Sequence, residues 1–246
     1  DKIFYVANIF DPSLSDFRYN YANSLNPDEA ARVLAKHLIK HNVKTAAIVG
    51  VNAQASLSLT AAAEKQFEKE GIRIVSKILF NSSDRALKLD AAKIKNSNPD
   101  VVFIYSYEPI LTLFARELRV AGYKNPFVTI SAFPFANNKN IFEGAFFADW
   151  DIGDRSFVEK YEKAYNAYPQ ALSPVGYNQI ILISNMIEKF GFSKNQTGDE
   201  VFKNLSGILE NIPSANGRMY IGDNGSLYMP SVLKKMLDGK SVTIKE

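Results

Sequence analysis

From Lys2 to Ile130, short apolar runs rich in β-branched and aromatic residues alternate with longer amphipathic stretches. Few folds accept that alternation. A strand of four to eight residues followed by a helical stretch, repeated, argues for βαβ units and a mostly parallel sheet covered by helices on both faces. Lys2 to Ala7 reads as a strand with a polar loop after it through Asp16, and Asn26-Pro27-Asp28-Glu29 as a helix start with Asn26 at the N-cap and Pro27 first in the helix, which runs to about Lys40. Thr45 to Val49, Ile72 to Leu79, Val101 to Tyr105 and Phe127 to Ile130 read as strands. Ala55 to Glu70, Asp84 to Lys95 and Pro109 to Val120 read as the helices between them, the first and last closed by Gly71 and Gly122. The expectation is a doubly wound α/β layer.

The texture changes after Ile130. A Phe-rich strand at Ala145 to Ala148 precedes helices at Ser156 to Ala167, Val175 to Phe190 and Asp199 to Leu209. Short strands follow at Met219 to Ile221, Leu227 to Lys235 and Ser241 to Lys245, with Asn224-Gly225 and Asp238-Gly239 as hairpin turns. Two lobes that share the chain discontinuously fit this order.

Composition narrows the chemistry. The chain has 246 residues, 46% of them hydrophobic, so it has material for a core; no apolar run nears the roughly 20 residues of a membrane-spanning helix. Lys plus Arg number 29 against 26 Asp plus Glu, spread in ones and twos, which gives no nucleic-acid patch. With no cysteine, disulfides, thiolate metal sites and cysteine nucleophiles are excluded. The chain opens at Asp1 without Met or a signal-like apolar segment, as a processed or trimmed chain does.

Candidate chemistry is sparse. No GxxxxGK, GxSxG or GxGxxG pattern occurs, so neither a catalytic residue nor a cofactor is expected. His37 and His41 share one helix face, but no Glu follows His37 and no third ligand is apparent, so an amphipathic helix face is favoured over a metal. Asp223-Asn224-Gly225 lacks the later ligands of a calcium loop and reads as a turn. Glu108, Glu117 and Glu143 are not paired by spacing for acid-base work.

Several local phrases occur in a characteristic order: Phe17-Arg18, Lys44 to Val49, Asn98-Pro99-Asp100-Val101-Val102, Arg116 to Gly122, Gly176-Tyr177-Asn178, Gly225 and Asp238-Gly239-Lys240. Together they resemble the type I periplasmic binding proteins of the branched-chain amino-acid class, the substrate-binding proteins of ABC importers, across essentially the whole chain. The resemblance implies a two-lobe α/β fold, with residues 23–148 plus 228–246 as the second lobe and residues 1–22 plus 149–227 as part of the first. The first lobe would be incomplete, lacking about a hundred residues, half a domain pair. It implies hinge crossovers near Tyr21, Asp149 and Leu227, with Trp150 beside the second.

Function follows as an expectation from the same resemblance: a non-catalytic, periplasmic or otherwise extracytoplasmic receptor that holds a small ligand between its lobes and delivers it to an importer permease. Second-lobe contacts would fall on Gln54, Ala55 and Ser56 at a helix start, on Tyr107 after a strand, and on Ser131, with Tyr105, Tyr107 and Phe133 as flat walls. Ala55 removes the family's aromatic wall. Ser131 stands where an acid often pairs with a ligand ammonium, which removes a charge-assisted bond worth about 1.5 to 3 kcal/mol. A carboxylate, amide or aromatic acid is therefore expected over a free α-amino acid. The alternative is a sensing or protein-interaction domain of a receptor or cell-envelope regulator; an α/β enzyme ranks third. An incomplete lobe exposes a sheet edge, so self-association through it is also expected.

Overall fold

The computed structural model describes residues 5–7, 20–81, 84, 87–169, 172–191, 197, 200, 214–217, 219–222 and 226–244. Among them, the chain divides into two compact units, Asp1–Asn26 with Trp150–Pro230 and Pro27–Asp149 with Ser231–Glu246. Phe17-Arg18, the Asn224-Gly225 turn with Asp223, and the helix expected at Asp199 to Leu209 lie outside the described residues, apart from Glu200.

The larger unit is built on β3 (Thr45–Val51), β4 (Arg73–Phe80), β5 (Val101–Tyr105), β6 (Phe127–Ile130), β7 (Phe146–Trp150), β10 (Ser231–Leu237) and β11 (Lys240–Thr243). They form a seven-stranded sheet in the order β11-β10-β7-β6-β5-β3-β4. From β4 through β7 the pairing is parallel, and β10 and β11 form an antiparallel hairpin. Its turn is Asp238-Gly239, both at positive φ (51° and 68°), the conformation that makes Asp-Gly a hairpin signal.

Four helices cover this sheet: α1 (Pro27–Lys40), α2 (Gln54–Lys69), α3 (Leu87–Asn96) and α4 (Ile110–Val120). All residues of β5 and β6 are buried, as are all but the first of β3, so both faces of the sheet are covered. Helices α1 and α2 pack as one pair and α3 and α4 as another. Phe103 of β5 meets Phe67 of α2 edge-on at 6.1 Å, and Phe80 of β4 meets Phe114 of α4 at 4.8 Å. Edge strand β4 is only half-buried, with Arg73 and Lys77 along it, which discourages pairing with another chain.

The smaller unit contains β1 (Tyr5–Ala7), β2 (Asn20–Leu25), β8 (Tyr220–Ile221) and β9 (Leu227–Met229), in the order β1-β2-β9-β8, with α5 (Arg155–Tyr165) and α6 (Ser173–Phe190). Asn178 of α6, fully buried, is its polar hub. Its Oδ1 accepts the Ala215 N–H at 2.8 Å and its Nδ2 donates to Asn216 Oδ1 at 2.8 Å, while Asn216 Nδ2 donates to the Asp151 carbonyl at 2.6 Å.

The segment Asn20–Leu25, which carries no alternating apolar pattern and no expectation from the sequence, is a strand because it pairs on both sides, with β1 and with β9. One sequence expectation is corrected. The stretch from Leu227 to Lys235 is two strands in two sheets, divided at Pro230, which has no N–H to continue a ladder.

Candidate functional site

In a parallel sheet, residues that follow the carboxyl ends of the strands gather along one edge, and ligands of open α/β sheets bind there. On the larger unit this edge collects Asn52 to Ser56 after β3, Ser106 to Glu108 after β5, Ser131 after β6 and Asp149 at the end of β7.

Tyr107 is 51% exposed, the largest exposed side chain of this group, and its ring lies edge-on to Tyr105 at 6.0 Å. Tyr105 is itself buried. Burial first, then Tyr107 and the charge of Asp149, push its hydroxyl well above the usual tyrosine range, so it stays protonated. Gln54, exposed, and Ala55, half-buried, open α2, whose start has neither a side-chain cap nor an acidic residue in its first turn.

Ser56 is fully buried and works inside the fold. Its Oγ accepts the Val51 N–H at 2.9 Å and donates to the Tyr105 carbonyl at 3.2 Å, joining β3, α2 and β5. Phe133 is also internal. Its ring, fully buried, stacks on Phe142 at 4.3 Å and stands against Phe147 at 5.8 Å, so it forms part of an aromatic layer of the core instead of a wall for a ligand.

Ser131 follows β6 with φ of +57°, a left-handed backbone that residues other than glycine rarely adopt. Its buried hydroxyl donates to Asp149 Oδ1 at 2.6 Å, and Asp149 Oδ2 lies 3.7 Å from Lys234 Nζ of β10. Sequence reasoning placed Asp149 at a hinge and missed Lys234. Strand alternation in β7, which sets Asp149 on the same face as Phe147, was the available signal for a buried acid.

Of the other expected hinge residues, Tyr21 lies in β2 opposite Val6 of β1, Trp150 ends β7 fully buried, and Leu227 opens β9, also buried. His37 and His41 stack at 4.1 Å with Phe146 against His37 at 4.2 Å, and His41 Nδ1 bonds the His37 carbonyl. Among the described residues no group of three His, Cys, Asp or Glu side chains could hold a metal. Glu108 accepts from Thr112 and from the Asn137 N–H, and Glu143 from the Asp238 N–H.

A doubly wound parallel sheet with an aromatic and polar strand-end edge, joined discontinuously to a second α/β unit, defines a solute-binding protein fold of the type I class. The chain belongs to the periplasmic binding protein family, whose model matches residues 1–240. A solved ABC transporter substrate-binding protein from Desulfitobacterium hafniense, in complex with Leu, is 21% identical with a TM-score of 0.78 over 97% of this chain and 72% of that one. A leucine-binding protein from Thermotoga maritima is 18% identical with a TM-score of 0.80 over 98% of this chain and 78% of that one. A Rhodopseudomonas palustris solute-binding protein in complex with benzoate is 17% identical with a TM-score of 0.73, over 92% of this chain and 65% of that one. These likenesses show the fold. No curated protein sequence matches the chain. Among the described residues no helix is long and apolar enough to cross a membrane.

Proposed function

We propose that this chain is a non-catalytic, extracytoplasmic solute receptor that presents a small ligand to an ABC importer permease. The observation that carries the reading is Tyr107, half exposed beyond the carboxyl end of β5, on the same strand-end edge as the uncapped start of α2, in a chain of the periplasmic binding protein family. An exposed tyrosine at a strand end gives a flat apolar face with one hydroxyl, the mixture small-molecule sites use. Gln54 supplies an amide close by in sequence to the helix start.

Relatives of this fold were solved with Leu and with benzoate, so an amino acid, a related amide or a carboxylate is the range from which the ligand is drawn. A thermal-shift screen over those classes tests the reading. Ligand at about a hundred times its dissociation constant adds roughly 2.7 kcal/mol to the native state, and a panel with no shift counts against transport. Self-association through the smaller unit belongs to the same proposal, and a monomer by light scattering would remove it.

A second reading, a sensing or interaction domain with the same fold, is favoured by one observation: the hydroxyls of Ser56 and Ser131 are both engaged within the fold. It gains if no small molecule stabilises the protein.

A further inference from the structure

Helix α6 is apolar on two opposite sides. Val175 and Leu182 are buried within the smaller unit, and on the far side Tyr177, Ile180, Ile183 and Ile187 recur at helical spacing, each between 37% and 67% exposed. No Asp, Glu, Lys or Arg occurs from Ser173 to Ile187; the first charges, Glu188 and Lys189, lie past the end of the stripe. Helix α5 has an ordinary outer face by comparison, with Arg155, Glu159, Lys160 and Lys163 in solvent. The stripe runs on into α5 through ring contacts: Tyr177 meets Phe157 at 5.0 Å, Phe157 meets Tyr161 at 5.9 Å, and Tyr161 meets the exposed Tyr165 at 4.6 Å. A helix at the surface of a monomer carries polar residues on the side away from its core, so α6 has the make-up of a helix covered on both sides. No described helix is long and apolar enough to cross a membrane, so a membrane span does not account for the second side.

Resting on the self-association named with the receptor reading, we infer that this stripe is the contact between two copies of the chain, α6 packed antiparallel on α6 about a two-fold axis level with Leu182. That axis sets Tyr177 of one protomer against Ile187 of its partner and Ile180 against Ile183, so the same residues serve both sides of the contact. The area is sufficient. At about 200 Å² for a fully exposed large side chain, Tyr165, Tyr177, Ile180, Ile183 and Ile187 leave on the order of 500 Å² in water. Two such faces bury on the order of 1,000 Å², the size a specific interface has to reach. The charge pattern favours a second copy as well. In a two-fold contact a charged patch would meet its own sign, whereas an uncharged stripe meets nothing that repels it. A different partner would be selected by complementary charge, and the stripe has none to offer. Asn185, on the same helix, turns its amide back to the Ile181 carbonyl at 2.8 Å.

Sedimentation velocity on the full chain at micromolar concentration tests this. The wild type is expected at twice the mass of one chain. Ile180→Lys puts a charge without a counter-ion into the contact and is expected to raise the dimer dissociation constant at least roughly a hundredfold, so that it runs as a monomer. Ile180 is mostly in water on the single chain, so the fold itself should tolerate the change. Because the chain has no cysteine, Ile183→Cys, next to the axis, is expected to give a disulfide-linked dimer under air oxidation, while Lys69→Cys at the end of α2 does not. A wild-type dimer that Ile180→Lys leaves intact overturns the α6 contact and leaves self-association standing. A monomeric wild type overturns both, and the receptor reading stays with the thermal-shift screen. If Ile180→Lys does not fold by circular dichroism, the two cysteine variants decide, and equal cross-linking at both positions overturns the contact.

Discussion

Thr45 and Asp100 hold each other at the amino ends of β3 and β5: Asp100 Oδ2 accepts the Thr45 N–H at 2.8 Å and its hydroxyl at 3.0 Å, while Thr45 Oγ1 accepts the Asp100 N–H at 3.0 Å. The Lys44 N–H donates to the same carboxylate oxygen at 2.8 Å. This clamp sits at the end of the sheet opposite the candidate site, so its effects are on stability alone.

Asp100→Ala is expected to cost about 1 to 3 kcal/mol, because it leaves three donors without their acceptor. Partial burial works against the charge, yet the bonds from Lys44 and Thr45 and the charge of Lys44 outweigh it and hold the carboxyl below the usual aspartate range. Since the folded value is the depressed one, the contribution is complete above the unfolded value of about 4 and is lost as pH falls through the folded one. Urea unfolding at a series of pH values should show a steeper acid loss in the wild type than in Asp100→Ala; identical curves would sink the assignment.

Gly50→Ala should destabilise the larger unit by about 1 to 3 kcal/mol through overpacking. A Cβ on Gly50 would come within 2.8 Å of Ser56 Oγ and of Thr60 Cγ2, and Ser56 is already bonded on both sides. Chemical denaturation reads this directly. An unchanged midpoint would mean that Ser56 can turn away, which would free it for a ligand.

Phe133→Ala should lower stability by about 3 to 5 kcal/mol, the range for a buried aromatic truncated in a packed core. Its effect on ligand affinity, measured at a temperature where the variant is fully folded, should be small. A selective loss of affinity with an unchanged melting temperature would return Phe133 to the binding face.

Tyr107→Ala should behave in the opposite way. Half of this side chain faces solvent, so the ligand-free melting temperature should hardly move, whereas affinity for a solute found in the thermal screen should fall roughly tenfold or more. Titration calorimetry on both proteins provides the comparison, and equal affinities would remove Tyr107 from the site.

Asn178→Leu should destabilise the smaller unit, since it leaves the Ala215 N–H without its acceptor and Asn216 Oδ1 without its donor in a buried place, at about 1 to 3 kcal/mol for each group. Hydrogen exchange should show the loss near Ala215 first. Unchanged protection there would contradict the hub.

The α/β class, most strand and helix positions of the larger unit and the Asp238-Gly239 hairpin were legible in the sequence. They depend on local rules: unbroken apolar runs in strands buried on both faces, proline at helix starts, glycine with positive φ at helix ends such as Gly71 and Gly122, and the turn preference of Asp-Gly. The same rules placed Tyr107 at a strand end. Tertiary structure decided the rest. Whether Asn20–Leu25 forms a strand depends on partners more than two hundred residues away in β9, and Pro230 sends two adjacent segments to different sheets. Ser56 and Phe133 look like site residues by position and are core residues by contact, because a hydroxyl or a ring serves whichever neighbour lies within reach. Asp149 and Lys234, 85 positions apart in sequence, come within ion-pair distance only when β10 returns beside β7, and an ion pair is a property of distance in space that no local pattern encodes.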